Sequence, residues 1–141
     1  MKKKLSSIAV LIIFSILIIL SGSLFAEEEK DTDLTIINVQ EANKLIEDNI
    51  ENTEFIILDV RTGEEYKVGH IENAINIDYQ SSKFTENVSN LDKEKIYLTY
   101  CRSGSRSTKS AEIMKELGFD NIYMIEGGIV AWDKAGLPIK E

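Results

Sequence analysis

Apolar and polar positions fall along this chain in short blocks whose spacing switches between that of a strand and that of a helix. Phe55-Ile56-Ile57-Leu58 and Ile96-Tyr97-Leu98-Thr99-Tyr100 are nearly unbroken apolar runs of strand length, the pattern of strands covered on both faces. Residues 34–37, 74–77 and 121–125 are shorter predicted strands. Between these runs, residues 40–49 place Ala42, Leu45 and Ile46 on one helical face. Residues 107–117 do the same with Ala111, Ile113, Met114 and Leu117, and the pattern stops at Gly118. Residues 81–88 and 129–134 read as two further helices. Strands alternating with helices predict an α/β domain, a central and mainly parallel sheet flanked by helices on both faces. In such folds ligands bind beyond the carboxyl ends of the strands.

The first 26 residues have a different pattern. Met1-Lys2-Lys3-Lys4 is a basic start, Ile8 to Leu20 is almost wholly apolar, and small residues follow. This is the layout of an export signal, with candidate cleavage points after Ser23 and after Ala26. The alternative is an uncleaved N-terminal anchor, because no charge occurs from Leu5 to Ala26 and the stretch approaches the ~20 residues that span a bilayer. Either way the expectation is a leader over 1–26, an acidic linker over 27–33 and one folded domain over 34–141. The domain is expected outside the cytoplasm, in the periplasm or at an outer cell surface, and membrane contact is confined to the leader.

Composition narrows the classes of function. At 141 residues, with 43% hydrophobic content, the chain has the size and core of a single domain. Sixteen Lys and Arg against 24 Asp and Glu give a net charge of −8, and loss of the leader removes three of the lysines. Such a body does not suit a nucleic acid partner. It also repels small anions at long range, so an anionic substrate has to be captured by local groups. One cysteine cannot form an internal disulfide or resolve its own oxidation, which argues against a dithiol oxidoreductase. One histidine with that one cysteine is a poor metal site, and none is expected.

The candidate chemistry lies at Cys101-Arg102-Ser103-Gly104-Ser105-Arg106, between the strand that ends at Tyr100 and the following helix. Free backbone N–H groups and the positive end of a helix dipole face such a loop. Arg102 and Arg106 add two cations, and Gly104 can adopt a positive φ that turns several N–H groups toward one point. Together these are expected to lower the Cys101 pKa and to form a cup for one anion or thiolate. A buried cysteine is often only a small apolar residue, but a core cysteine is rarely followed by two arginines within five positions.

The ordered set Leu58-Asp59-Val60-Arg61, Glu65-Tyr66, Gly69-His70-Ile71, Ala74-Ile75-Asn76-Ile77, the Cys101 loop, Gly127-Gly128 with Trp132, and Gly136-Leu137-Pro138 resembles the signature of a rhodanese domain over nearly all of the chain beyond the leader. With that leader, the chain is similar to the small exported single-domain rhodaneses of bacteria. The resemblance implies a rhodanese-like fold and a cofactor-free sulfurtransferase. A sulfane sulfur would pass from a small anionic donor such as thiosulfate, through a persulfide on Cys101, to a thiophilic acceptor such as cyanide or a thiol. It further implies that the N–H groups of Arg102, Ser103, Gly104, Ser105 and Arg106 hold the terminal sulfur. Arg102 would face the donor's sulfonate, and Arg106 would brace the loop.

Several readings stand beside this one. Related phosphatases and arsenate reductases have five residues between cysteine and arginine, whereas four intervene here, so the smaller cup favours sulfur over a tetrahedral oxyanion. A persulfide carrier or a binding module without turnover would use the same loop. Asp59 and Arg61 are expected near the carboxyl ends of the strands, either as a pair that positions the loop or as a rim salt bridge of little consequence. His70 is expected to order a loop by hydrogen bonding, Trp132 to pack, and Glu65 to pair with one of the arginines. Gly127-Gly128 is expected to let backbone approach the cup or simply to start a helix. Many rhodaneses have Pro-Gly where this chain has Glu72-Asn73, and asparagine is expected to keep the turn by adopting the left-handed conformation.

Overall fold

The computed structural model describes residues 34–141, so the leader and the acidic linker lie outside the described residues. The elements run β1 (Thr35–Ile37), α1 (Val39–Asp48), β2 (Phe55–Asp59), α2 (Gly63–Val68), β3 (Ile75–Asn76), α3 (Phe84–Ser89), β4 (Ile96–Tyr100), α4 (Ser105–Glu116), β5 (Asn121–Ile125) and α5 (Gly128–Lys134). All strand pairs are parallel, and the sheet order is β1-β5-β4-β2-β3. The α/β class, the parallel sheet and the helices on both faces agree with the sequence. Among the described residues no helix is long and apolar enough to cross a membrane.

The two-residue period of the strands sorts side chains into two cores. Leu58, Tyr97, Ile122, Met124 and Cys101 point to the face covered by α3 and α4, where they meet Phe84, Val88, Ala111 and Met114. Ile57, Leu98, Tyr100 and Ile125 point to the face covered by α1 and α5, where they meet Val39, Ala42, Ile129 and Trp132. The continuous apolar runs of β2 and β4 follow from this, because these two strands lie inside the sheet and are covered on both sides.

Local chemistry fixes the helix ends. Asn38 caps α1, its side chain accepting from the Gln40 and Glu41 amides while the Glu41 carboxylate accepts from the Asn38 amide. Thr62 and Glu65 form the same reciprocal box at the start of α2. That helix was not predicted, because its six residues carry too little apolar periodicity; the Thr62-x-x-Glu65 spacing was its sequence signal. Asn73 is left-handed at φ 63°, as the turn replacing Pro-Gly requires.

Candidate functional site

Asp59 and Tyr100 are register partners at the carboxyl ends of β2 and β4, and the first residue after β4 is Cys101. The chain then turns through Arg102-Ser103-Gly104 and enters α4 at Ser105, two residues before the predicted start. Gly104 supplies the turn at φ 111°, and its carbonyl accepts from the Thr108 amide and from the Ser107 and Thr108 hydroxyls. Ser105 and Arg106 are therefore in the first turn of the helix, with their amides directed back into the loop.

Cys101 is 1% exposed. Its Sγ accepts from the Gly104 amide at 3.1 Å and from the Ser107 hydroxyl at 3.6 Å. Burial pushes the thiol pKa up, but the Ser107 amide and hydroxyl, with the amides of Gly104 and Ser103, outweigh it and leave the pKa below its ordinary value. The direction agrees with the sequence, and so does the part given to backbone N–H groups; the Ser107 hydroxyl is the added contributor. Hydrogen bonds from the loop and the helix start lead the lowering, and the charge of Arg106 interacts with the sulfur. Ser107 was not singled out from the sequence. Its signal was the helix start itself, which at Ser105 instead of Ser107 places this side chain on the first turn beneath the sulfur.

The two arginines have different surroundings. Arg106 makes a bidentate pair with Glu65, Nη1 to Oε2 at 2.7 Å and Nη2 to Oε1 at 2.8 Å. The hydrogen bond from Arg106 holds the Glu65 carboxyl down at about 2. Because Glu65 Oε2 also accepts from the Thr62 amide and hydroxyl, one carboxylate ties the start of α2 to the start of α4. Arg102 is exposed, its side chain has no ion pair within the described residues, and it lines a cavity beside the loop.

Asp59 and Arg61 are buried at 0% and 6% exposure, so the rim reading of this pair is overturned. The carboxylate accepts from the Arg61 backbone amide at 2.9 Å and from Nη2 at 2.6 Å, and a second bond from Nη2 reaches the Gly69 carbonyl at 2.7 Å. Val60 between them donates its amide to the Tyr100 carbonyl, immediately before the cysteine. The pair thus pins the strand end next to the loop without touching the sulfur.

On the other side, α5 holds the loop from behind. The Ile129 amide donates to the Cys101 carbonyl at 2.9 Å and the Val130 amide to the Arg102 carbonyl at 3.2 Å. Gly128, at φ 59°, lies so close that a Cβ there would be 2.4 Å from the Cys101 oxygen. Both readings of Gly127-Gly128 therefore hold, since the glycines start α5 and bring backbone against the cup. Tying these carbonyls outward leaves the loop amides free to face inward.

The sequence profile of the Rhodanese-like domain matches residues 39–135, most of the chain. The chain belongs to the rhodanese-like family. Among solved structures, a rhodanese-related protein from Thermoplasma volcanium is 33% identical with a TM-score of 0.63, over 75% of this chain and 97% of that one. Two curated relatives are proteins named tRNA uridine(34) hydroxylase. The Cytophaga hutchinsonii protein is 38% identical over 80 residues, covering 55% of this chain and 26% of its own length. The Yersinia pestis protein is 34% identical over 114 residues, covering 74% of this chain and 30% of its own length. The chain thus spans less than a third of these curated relatives.

The family is of the sulfurtransferase type, built around a cysteine loop such as this one. In this rhodanese-like domain the remaining predicted residues are structural. His70 stacks on Tyr66 with ring centroids 3.9 Å apart, its Nδ1 lies 2.9 Å from the Tyr66 carbonyl, and its backbone bridges Lys140. Trp132 is buried and donates Nε1–H to the Pro138 carbonyl. Among the described residues no group of three or more His, Cys, Asp and Glu is placed to hold a metal ion.

Proposed function

We propose that this chain is an exported sulfurtransferase in which Cys101 carries the sulfur. The observation that carries the reading is the buried Cys101 Sγ, held by the Gly104 amide and the Ser107 hydroxyl at the head of α4 with its pKa lowered. A thiolate made by hydrogen bonds needs no neighbouring base, and a cup of four intervening residues suits one sulfur atom. In the first half-reaction the Cys101 thiolate attacks the outer sulfur of thiosulfate. The S–S bond of the donor breaks, its electron pair leaves with sulfite, and a persulfide anion remains on Cys101. The loop amides from Arg102 to Arg106 receive the terminal sulfur, and the exposed Arg102 guanidinium meets the sulfonate. An acceptor then attacks the terminal sulfur and regenerates the thiolate.

A second reading comes from the relatives named for hydroxylation of a tRNA uridine. The net charge of −8 does not suit a polyphosphate partner, and the aligned part is less than a third of those proteins. Sulfur transfer is the reading that uses the thiolate directly.

The test is thiocyanate production from thiosulfate and cyanide by the full chain, with Cys101→Ala as control. Turnover that the substitution abolishes is the expected result. Turnover that survives it removes Cys101 from the mechanism, and no turnover by the reduced wild type favours a persulfide carrier or binding role. Export rests on the sequence of residues 1–26; fractionation with mass measurement of the mature N-terminus tests it, and an intact chain in the cytoplasm would refute it.

A further inference from the structure

Beside the Cys101 loop lies a cavity of about 590 Å³. It adjoins the loop through Arg102, through Glu65, which holds Arg106, and through Ile129, which holds the Cys101 carbonyl. Cavities of this size take organic molecules, whereas thiosulfate and cyanide are five atoms and two. Arg61 and Glu65 in its wall are already paired, with Asp59 and Arg106 respectively. The charged side chains in the wall with no partner among the described residues are Arg102, Asp133 and Glu141, one cation and two anions. The same wall carries apolar side chains, including Val68 at 78% and Val130 at 49% exposure.

We propose that this cavity is the acceptor subsite and takes a small thiol that carries both an ammonium and a carboxylate group; the proposal rests on the sulfur-transfer reading of Cys101. The carboxylate pairs with Arg102, the ammonium with Asp133 and Glu141, and the carbon chain lies on Val68 and Val130. Because sulfite leaves before the acceptor enters, Arg102 serves the donor's sulfonate and the acceptor's carboxylate in turn. In the second half-reaction the acceptor sulfur bonds to the terminal sulfur of the persulfide anion, and the S–S bond to Cys101 breaks. The electron pair returns to Sγ as thiolate, and the thiol's proton stays on the product, R–S–SH. Atoms and charge balance with no other reactant.

Three thiols separate the charges: L-cysteine has both, cysteamine lacks the carboxylate, and 3-mercaptopropionate lacks the ammonium. With thiosulfate as donor and the full chain as enzyme, the KM for L-cysteine should be about tenfold below that for either of the others. Asp133→Asn should raise the L-cysteine KM about tenfold while leaving cyanide kinetics unchanged, which also reports that the variant is folded. Equal KM values for the three thiols, or an Asp133→Asn variant indistinguishable from wild type with L-cysteine, would overturn the proposal. Calorimetric titration with S-methyl-L-cysteine, which cannot accept sulfur, reads the cavity without turnover. Binding that weakens in Asp133→Asn supports the subsite even if thiocyanate production fails, and the failure then falls on the sulfur-transfer reading alone. No binding at millimolar ligand sinks the subsite even if thiocyanate is made.

Discussion

Glu65 and Arg106, 41 positions apart in sequence, meet through two parallel hydrogen bonds of 2.7 and 2.8 Å. The pair joins the cap of α2 to the first turn of α4, so one ion pair fixes the distance between two helix starts on either side of the loop. Its Glu65 carboxyl sits at about 2 in the folded chain against 4.5 as its ordinary value. A carboxyl lowered by folding stabilises the fold fully above the ordinary value, and that contribution is lost as pH falls from about 4.5 toward 2. Urea midpoints measured across that window should fall more steeply for wild type than for Glu65→Gln, and parallel curves would show that the pair contributes nothing.

Ser107→Ala removes the hydroxyl beneath Sγ while keeping the amide. The Cys101 pKa should rise, seen as an upward shift in the pH midpoint of alkylation by iodoacetamide. Sulfur transfer at neutral pH should drop roughly three- to tenfold, with the unfolding midpoint little changed. An unshifted alkylation profile would leave the amides alone as the source of the low pKa.

Gly128→Ala and Gly136→Ala make an informative pair. Both positions have positive φ, but a Cβ at Gly128 strikes the Cys101 carbonyl and the Arg102 backbone, whereas at Gly136 it meets nothing within 4 Å. Backbone strain alone costs about 1 kcal/mol at Gly136, and overpacking raises the cost to about 3 kcal/mol at Gly128. Urea unfolding compares the two, and transfer should be lost only in Gly128→Ala.

Asp59→Asn leaves the Arg61 guanidinium buried without its counter-charge, for a cost of about 3 kcal/mol. Unfolding in urea measures it, and the same variant should slow transfer because Val60 no longer holds the Tyr100 carbonyl as firmly. A change under about 0.5 kcal/mol would return the pair to the class of surface salt bridges.

Arg102→Ala should raise the KM for thiosulfate about tenfold and leave kcat within about twofold, since an exposed cation contributes chiefly to capture of the donor. Steady-state kinetics decide, and an unchanged KM means that the sulfonate binds elsewhere.

Most of this arrangement is legible in the sequence because it depends on period and punctuation. The runs of β2 and β4, the glycine at φ 111° and the left-handed Asn73 each express a local rule of the chain. Harder to read is anything fixed by neighbours distant in sequence. The burial of Asp59 and Arg61 depends on β4 lying alongside β2 and on the Gly69 carbonyl arriving from a later turn. Glu65 is expected from the sequence to pair with an arginine, but which one is decided only by α2 placing it opposite Arg106. At Cys101 the amides of a helix start are foreseeable from the sequence, whereas the Ser107 hydroxyl aimed at sulfur becomes visible only with coordinates.

The sheet order also decides how much of the chain must be present before the cup is complete. β1, made first, has only β5 as a neighbour, and the amides that tie down the Cys101 and Arg102 carbonyls come from α5, made after β5. A growing chain can therefore contain the whole cysteine loop and still lack both the strand that closes its sheet and the helix that shapes its cup. Every group that donates a hydrogen bond to Sγ lies before β5, whereas the amides that turn the loop carbonyls outward come from α5, so a fragment that stops short of α5 would keep the sulfur's partners and lose the frame that aims the remaining loop amides.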